Sequence, residues 1–292
     1  MFRFPVRAAR CAAMVCSWIA FAASAATTRA AFTTFSVGGD ATPASIQATV
    51  DAFRAALGSP NNGNTPGPLA SGRREINWDG GGATTATATL GPLLAFQNTR
   101  GAIFTTPGTG FLQTPVTAPE LTGLNPTYAT AFAAFSPQRI FVPVASNITD
   151  VTFALPGSGG QTPATVAGFG AIFSDVDLAN STKLEFFGLG GNLLETILAP
   201  AGTVDHASQS FAGGIASAGE RIARVRITSG NSPLVPNDNP QNQIDVVAMD
   251  DFIYNEPVAV PEPTTATAIL IVTALATPLF RPNRPTNRLR FS

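Results

Sequence analysis

The sequence predicts a mainly β protein, an antiparallel β-sandwich with one helix near its N-terminal end. Three observations lead there. Glycine and proline are abundant, 27 and 24 of 292 residues, and they punctuate short apolar runs where long helical periods would otherwise stand. Several of those runs alternate apolar and polar residues with a period of two. The third observation is core material. With 21 phenylalanines and 45% hydrophobic against 12% charged residues, the chain can fill an interior and is not of disordered composition.

The elements follow in order. Residues 1–25 have the pattern of a secretory signal: basic MFRFPVRAAR, the apolar run CAAMVCSWIAFAASA, and a small-residue cleavage site at Ala23-Ser24-Ala25. The run is short for a bilayer span, so cleavage is the expectation and an uncleaved anchor the alternative. Cys11 and Cys16 both lie in this segment. The mature chain then has no cysteine for a disulfide, a zinc site or a nucleophile.

One ectodomain, residues 26–257, is expected next. Thr42 as N-cap, Pro43 at the first helical position and Ile46, Val50, Phe53 and Leu57 at helical spacing predict a helix stopped by Gly58 and Pro60. Ser59 to Gly72 reads as a loop. From there the period is two: Val151, Phe153 and Leu155 in one run and Ala223, Val225 and Ile227 in another mark half-buried strands. Further strands are expected at FQNTRGAIFTT, QRIFVPV, AGFGAIFSDV, KLEFFG and DVVAMDDFIY, enough for two packed sheets. No fixed-period repeat occurs, which disfavours a propeller or solenoid.

Charge and residue chemistry exclude several function classes. Between the signal and the start of the Pro-Glu-Pro motif that follows the ectodomain, ten basic and seventeen acidic residues leave about −7, a sign that repels phosphate backbones and argues against nucleic-acid binding. His206 is the single histidine, with no nucleophile elbow around any serine, so it reads as an exposed loop residue more readily than as a general base. Zinc would need further His or Cys ligands. No phosphate-binding glycine loop is present. The chain therefore reads as non-catalytic.

Carboxylates and one tryptophan remain. Asp175 and Asp177 in FSDVDLANS are two apart, which on an extended strand puts both on one side, and Asp250 with Asp251 closes the strand VAMDDFIY. Asp175, Asp177 and Asp250 together would make an oxygen-rich calcium site, although Ala179 and Asn180 rule out an EF-hand loop. Pairing of Asp250 or Asp175 with Arg224 or Arg226, or turn capping, is the structural alternative, and a pair of glycosidase-type acids a third. Trp78, between Asn77 and Asp79, is either a core residue or a stacking platform for a sugar.

The end of the chain, residues 258–292, carries Pro261-Glu262-Pro263, an apolar stretch from Thr264 to Phe280, and Arg281, Arg284, Arg288 and Arg290. This arrangement resembles the PEP-CTERM sorting signal of Gram-negative bacteria that make exopolysaccharide. The resemblance implies export, a transmembrane segment before processing, and an exosortase as partner that cuts near the motif. The physical reading agrees: a rigid accessible site, a membrane stop and positive charge on the cytoplasmic side. The body, through AGFGAIFSDVDLANSTKLEFFGLGGNLL, SFAGGIASAGERIARVRITSG and DVVAMDDFIYNEP, resembles the second half of secreted bacterial proteins bearing the same tail. That likeness implies a jelly-roll sandwich similar to galactose-binding-like domains. The function expected is that of an envelope or extracellular-matrix protein at the outer surface or beyond, binding polysaccharide, or else purely structural or adhesive.

Overall fold

The computed structural model describes residues 31–261. The signal segment, Glu262, Pro263, Arg281, Arg284 and the apolar run between them lie outside the described residues. The described residues form fifteen strands: β1 (Phe32–Gly38), β2 (Arg73–Ile76), β3 (Thr87–Leu90), β4 (Ala102–Thr105), β5 (Gly110–Pro115), β6 (Arg139–Val144), β7 (Ile148–Ala154), β8 (Pro163–Thr165), β9 (Gly168–Ser174), β10 (Lys183–Phe187), β11 (Leu193–Leu198), β12 (Gln209–Ala216), β13 (Arg224–Thr228), β14 (Ala248–Asn255) and β15 (Val258–Ala259). The helices are α1 (Ala44–Leu57) and the short α2 (Pro119–Thr122) and α3 (Tyr128–Ala131).

The strands form two antiparallel sheets packed as a sandwich. The first runs β1-β12-β9-β14-β6-β5-β3, with β2 also on β14; the second runs β11-β10-β13-β7-β8-β15, with β4 on β7. Their facing sides bury Phe104, Phe141, Phe153, Phe169, Phe173, Phe186 and Phe252 in one cluster. The phenylalanines are thus core, as the composition implies.

The two sheets differ in their outer faces. In the second sheet β10 and β13 alternate strictly between buried and partly exposed residues, the signature of a half-buried strand. The first sheet is covered outside as well. There α1 lays Ile46, Val50, Phe53 and Leu57 on Ile172, Phe211 and Ile253, and the α2–α3 segment packs Leu121, Tyr128 and Phe132 over Ile140, Val142 and Ala248. As a result β9 is buried along its whole length. Its glycines admit the helix: a Cβ on Gly170 would meet the Phe53 ring at 2.8 Å.

The structure departs from expectation at several points: β4 and β14 begin later than their expected runs, and the short α2 and α3 join the one expected helix. α1 begins at Ala44 with Pro43 at the cap position and no side-chain cap hydrogen bond; Thr42 does not cap it, and its N–H and hydroxyl are held by Asp40 Oδ1 at 2.8 and 2.6 Å. β1 precedes the helix, unheralded because its two faces are polar and weakly apolar in turn. The sandwich also continues past residue 257, where Val258 and Ala259 pair with Thr165 and Ala164. Among the described residues no helix is long and apolar enough to cross a membrane.

Candidate functional site

Trp78 lies in the bend after β2, in a left-handed conformation at φ 63°, and is buried along with Arg74 and Ile76. Its ring stacks on Phe141 at 3.8 Å with an interplanar angle of 2°, and meets Phe104 and Phe252 edge-on. The indole Nε1 donates to the Asp250 carbonyl at 3.0 Å. Only 1% of the residue is exposed, so it is no sugar platform. Of the two readings of Trp78, core packing is correct, because the face that would stack on a ring is already stacked on Phe141.

Beside it, however, lies a cleft of about 430 Å³. Asn64, Asn77, Thr87, Thr89, Arg100 and Gln113 supply its polar wall, and Phe96 and the Trp78 edge its apolar one. Arg100 is oriented by Asn64, whose Oδ1 accepts from Nε at 2.7 Å. Amides, hydroxyls and one guanidinium around an aromatic edge suit a neutral or acidic polar ligand of small size.

The calcium site expected from Asp175, Asp177 and Asp250 does not assemble in that form. Asp250 lies in a group of its own with Asp79 and Asp251. Its Oδ2 accepts from the backbone N–H of Phe135 at 2.6 Å and of Ser136 at 3.2 Å. Asp251 accepts from the Ser136 hydroxyl at 2.6 Å and pairs with Arg54 at 3.3 Å. Asp79 accepts from the N–H groups of Gln138 and Arg139. Burial, then the charge of Asp251, raises the Asp250 carboxyl well above its ordinary range. These acids hold the 135–139 loop against the first sheet.

Asp175 and Asp177 meet different partners, Asp238 and Asp245. β9 ends at Ser174, and Asp175 takes a left-handed conformation at φ 72°, so the pair is not aligned by strand parity. Asp175 Oδ1 accepts from the Ala207 N–H at 3.0 Å, which places His206 alongside. Ligating atoms of Asp175, His206 and Asp238 lie within 4.8 Å of one another, as do those of Asp177, Asp238 and Asp245. Asp238 is common to both sets.

Long loops deliver the two acids that the sequence reading missed. Asp245 precedes β14 and accepts from the N–H groups of Asp177 and Leu178 and from the Ser181 hydroxyl, tying the 175–181 loop down. Asp238 Oδ1 accepts from the Val246 N–H at 2.8 Å. Its loop is fixed by Tyr128, whose hydroxyl accepts from Val235 N–H at 2.7 Å and donates to the Pro236 carbonyl at 2.8 Å. The run Pro236-Asn237-Asp238-Asn239-Pro240 is dense in oxygen donors between two prolines, and that was the available signal. Burial raises all four carboxyls. Asp175 is pushed to about 9 by burial and then by Asp177 and Asp238, and Asp177 to about 8 by burial and then by Asp238.

Arg224 and Arg226 pair with neither Asp175 nor Asp250. Their partner is Asp150 on β7, at 2.6 and 2.8 Å, because β13 lies between β10 and β7 in the second sheet while β9 and β14 are in the first. No family model matches the chain, and no curated protein or solved structure matches it at a significant level.

Proposed function

We propose that the chain is an exported, non-catalytic protein of the cell envelope or extracellular matrix whose sandwich binds polysaccharide. The cleft beside Trp78 carries this reading, because its convergent amides, hydroxyls and Arg100 offer the paired donors and acceptors by which sugar hydroxyls are bound. The flanking segments support the export half. A secretory pattern at residues 1–25 and the likeness of Pro261-Glu262-Pro263 and the arginine-bearing tail to a PEP-CTERM signal make an exosortase and the export machinery the expected partners.

The test is affinity electrophoresis of the purified chain in gels containing neutral and acidic polysaccharides, repeated for Asn77→Ala and Gln113→Ala. Trp78 is left intact, since its removal would empty the core. Saturable retardation that weakens at least several-fold in either variant supports the reading. If no polysaccharide retards the chain, a purely structural or adhesive role replaces it. Turnover of a glycoside substrate, abolished by Asp175→Asn, would replace it with hydrolysis.

A further inference from the structure

Among the described residues every buried carboxylate oxygen without a hydrogen-bond partner falls in one place: Oδ2 of Asp175, of Asp177 and of Asp238. Asp175 is wholly buried. A lone pair held away from water with nothing donating to it is costly, and natural folds leave few such atoms. Here they are grouped around Asp238, which has a ligating atom within 4.8 Å of one on Asp175 and of one on Asp177, and among the described residues none of the three is in an ion pair.

We infer that Asp175, Asp177 and Asp238 bind a calcium ion, with Asp245 holding the loop that presents them. This inference is independent of the polysaccharide reading. The three unpartnered atoms are all hard oxygens on loops, and calcium accepts six to eight such ligands in flexible geometry, completing its shell from backbone carbonyls and water. His206 is exposed at the rim and within reach of Asp175 and Asp238. It is the one nitrogen available, and a transition metal would depend on it where calcium would not.

A shared proton is the rival arrangement. One proton between Asp177 and Asp238 would satisfy two of the orphaned oxygens, but Asp175 Oδ2 would keep none. A cation at Asp238, the residue common to both sets, serves all three. The ion would also add to the hydrogen bonds that already join three loop segments: 175–181 after β9, 203–208 before β12, and 231–245 before β14. Strain is concentrated in these segments, with Asp175, Asn180, Ala207, Val235 and Gln243 all at positive φ.

The experiment uses the full chain, stripped with chelator and then melted with calcium, magnesium, zinc or chelator present, alongside direct calorimetric titration with calcium. Calcium at a hundredfold excess over its dissociation constant should raise the melting temperature by about 5 °C or more, and magnesium by less. Asp238→Asn and Asp175→Asn should lose that rise. In chelator Asp238→Asn should melt no lower than the parent, because it keeps an oxygen for the Val246 N–H while removing a charge from a repelling group. His206→Ala should keep the calcium response. The inference falls if the stripped parent takes up no calcium in the calorimeter or melts alike in calcium and chelator. It falls equally if Asp238→Asn retains the rise, or if zinc acts more strongly than calcium and loses its effect in His206→Ala.

Discussion

Two groups of buried and half-buried acids border the first sheet, and they are built in opposite ways. Asp79, Asp250 and Asp251 are neutralised from within: backbone N–H groups of residues 135–139, the Ser136 hydroxyl and Arg54 supply donors, and none of their oxygens is buried without a partner. Asp175, Asp177 and Asp238 each keep one oxygen with no donor at all. The same residue type thus serves as a loop fastener in one place and as an open ligand set in the other. Donors decide which, and donors come from whichever loop the fold brings alongside.

The contrast breaks most visibly at Asp250. Asp250→Ala strips acceptors from the N–H groups of Phe135 and Ser136, and should cost about 3 kcal/mol in urea unfolding, equally in calcium and in chelator. A loss confined to chelator would mean that this group too depends on a cation.

Acidity gives a second, smaller lever. The folded chain holds the Asp250 and Asp251 carboxyls above their ordinary values, chiefly through burial, so it binds protons that the unfolded chain releases near pH 4. Their contribution to stability is fully present below that pH and is lost as pH rises toward the folded-state values. The slope is at most about 1.4 kcal/mol per pH unit for each proton. Urea midpoints between pH 4 and 8 should therefore fall less steeply in Asp250→Asn than in the parent, and an unchanged slope would show that Asp250 does not titrate in this way.

The smallest expected effect is at Arg54. It pairs with Glu75 at 3.0 Å and Asp251 at 3.3 Å at the edge of α1, in a partly solvated position. Arg54→Met should lower stability by roughly 1 kcal/mol, measured by urea unfolding, and leave calcium uptake unchanged. An altered calcium affinity would show that the two groups are coupled and not independent.

Legibility in the sequence follows the same division. In the second sheet one face is solvated, so alternation in runs such as Lys183 to Phe187 and Arg224 to Thr228 marks both the strands and their buried sides. The stripe Ile46, Val50, Phe53 and Leu57 likewise marks α1 and its buried face. The first sheet is harder to read. With α1 and the α2–α3 segment on its outer face, β9 and β14 are buried on both sides and lose the period of two, and β12 is glycine-rich where ring and backbone approach closely.

What the sequence by itself determined was local: the sandwich class, the helix and its apolar face, the phenylalanine core, and the lack of any cysteine from residue 17 onward. Asp175 and Asp177 were legible as neighbouring carboxylates, a local property, although the strand parity expected to align them is broken at Asp175. Only the tertiary structure decided that Asp238 and Asp245 join them while Asp250 turns to the 135–139 loop, and that Trp78 is sealed against Phe141. The reason is physical. Periodicity encodes which side of an element is buried, whereas the meeting of side chains from separate loops depends on strand order, and strand order is settled by the summed packing of the whole sandwich.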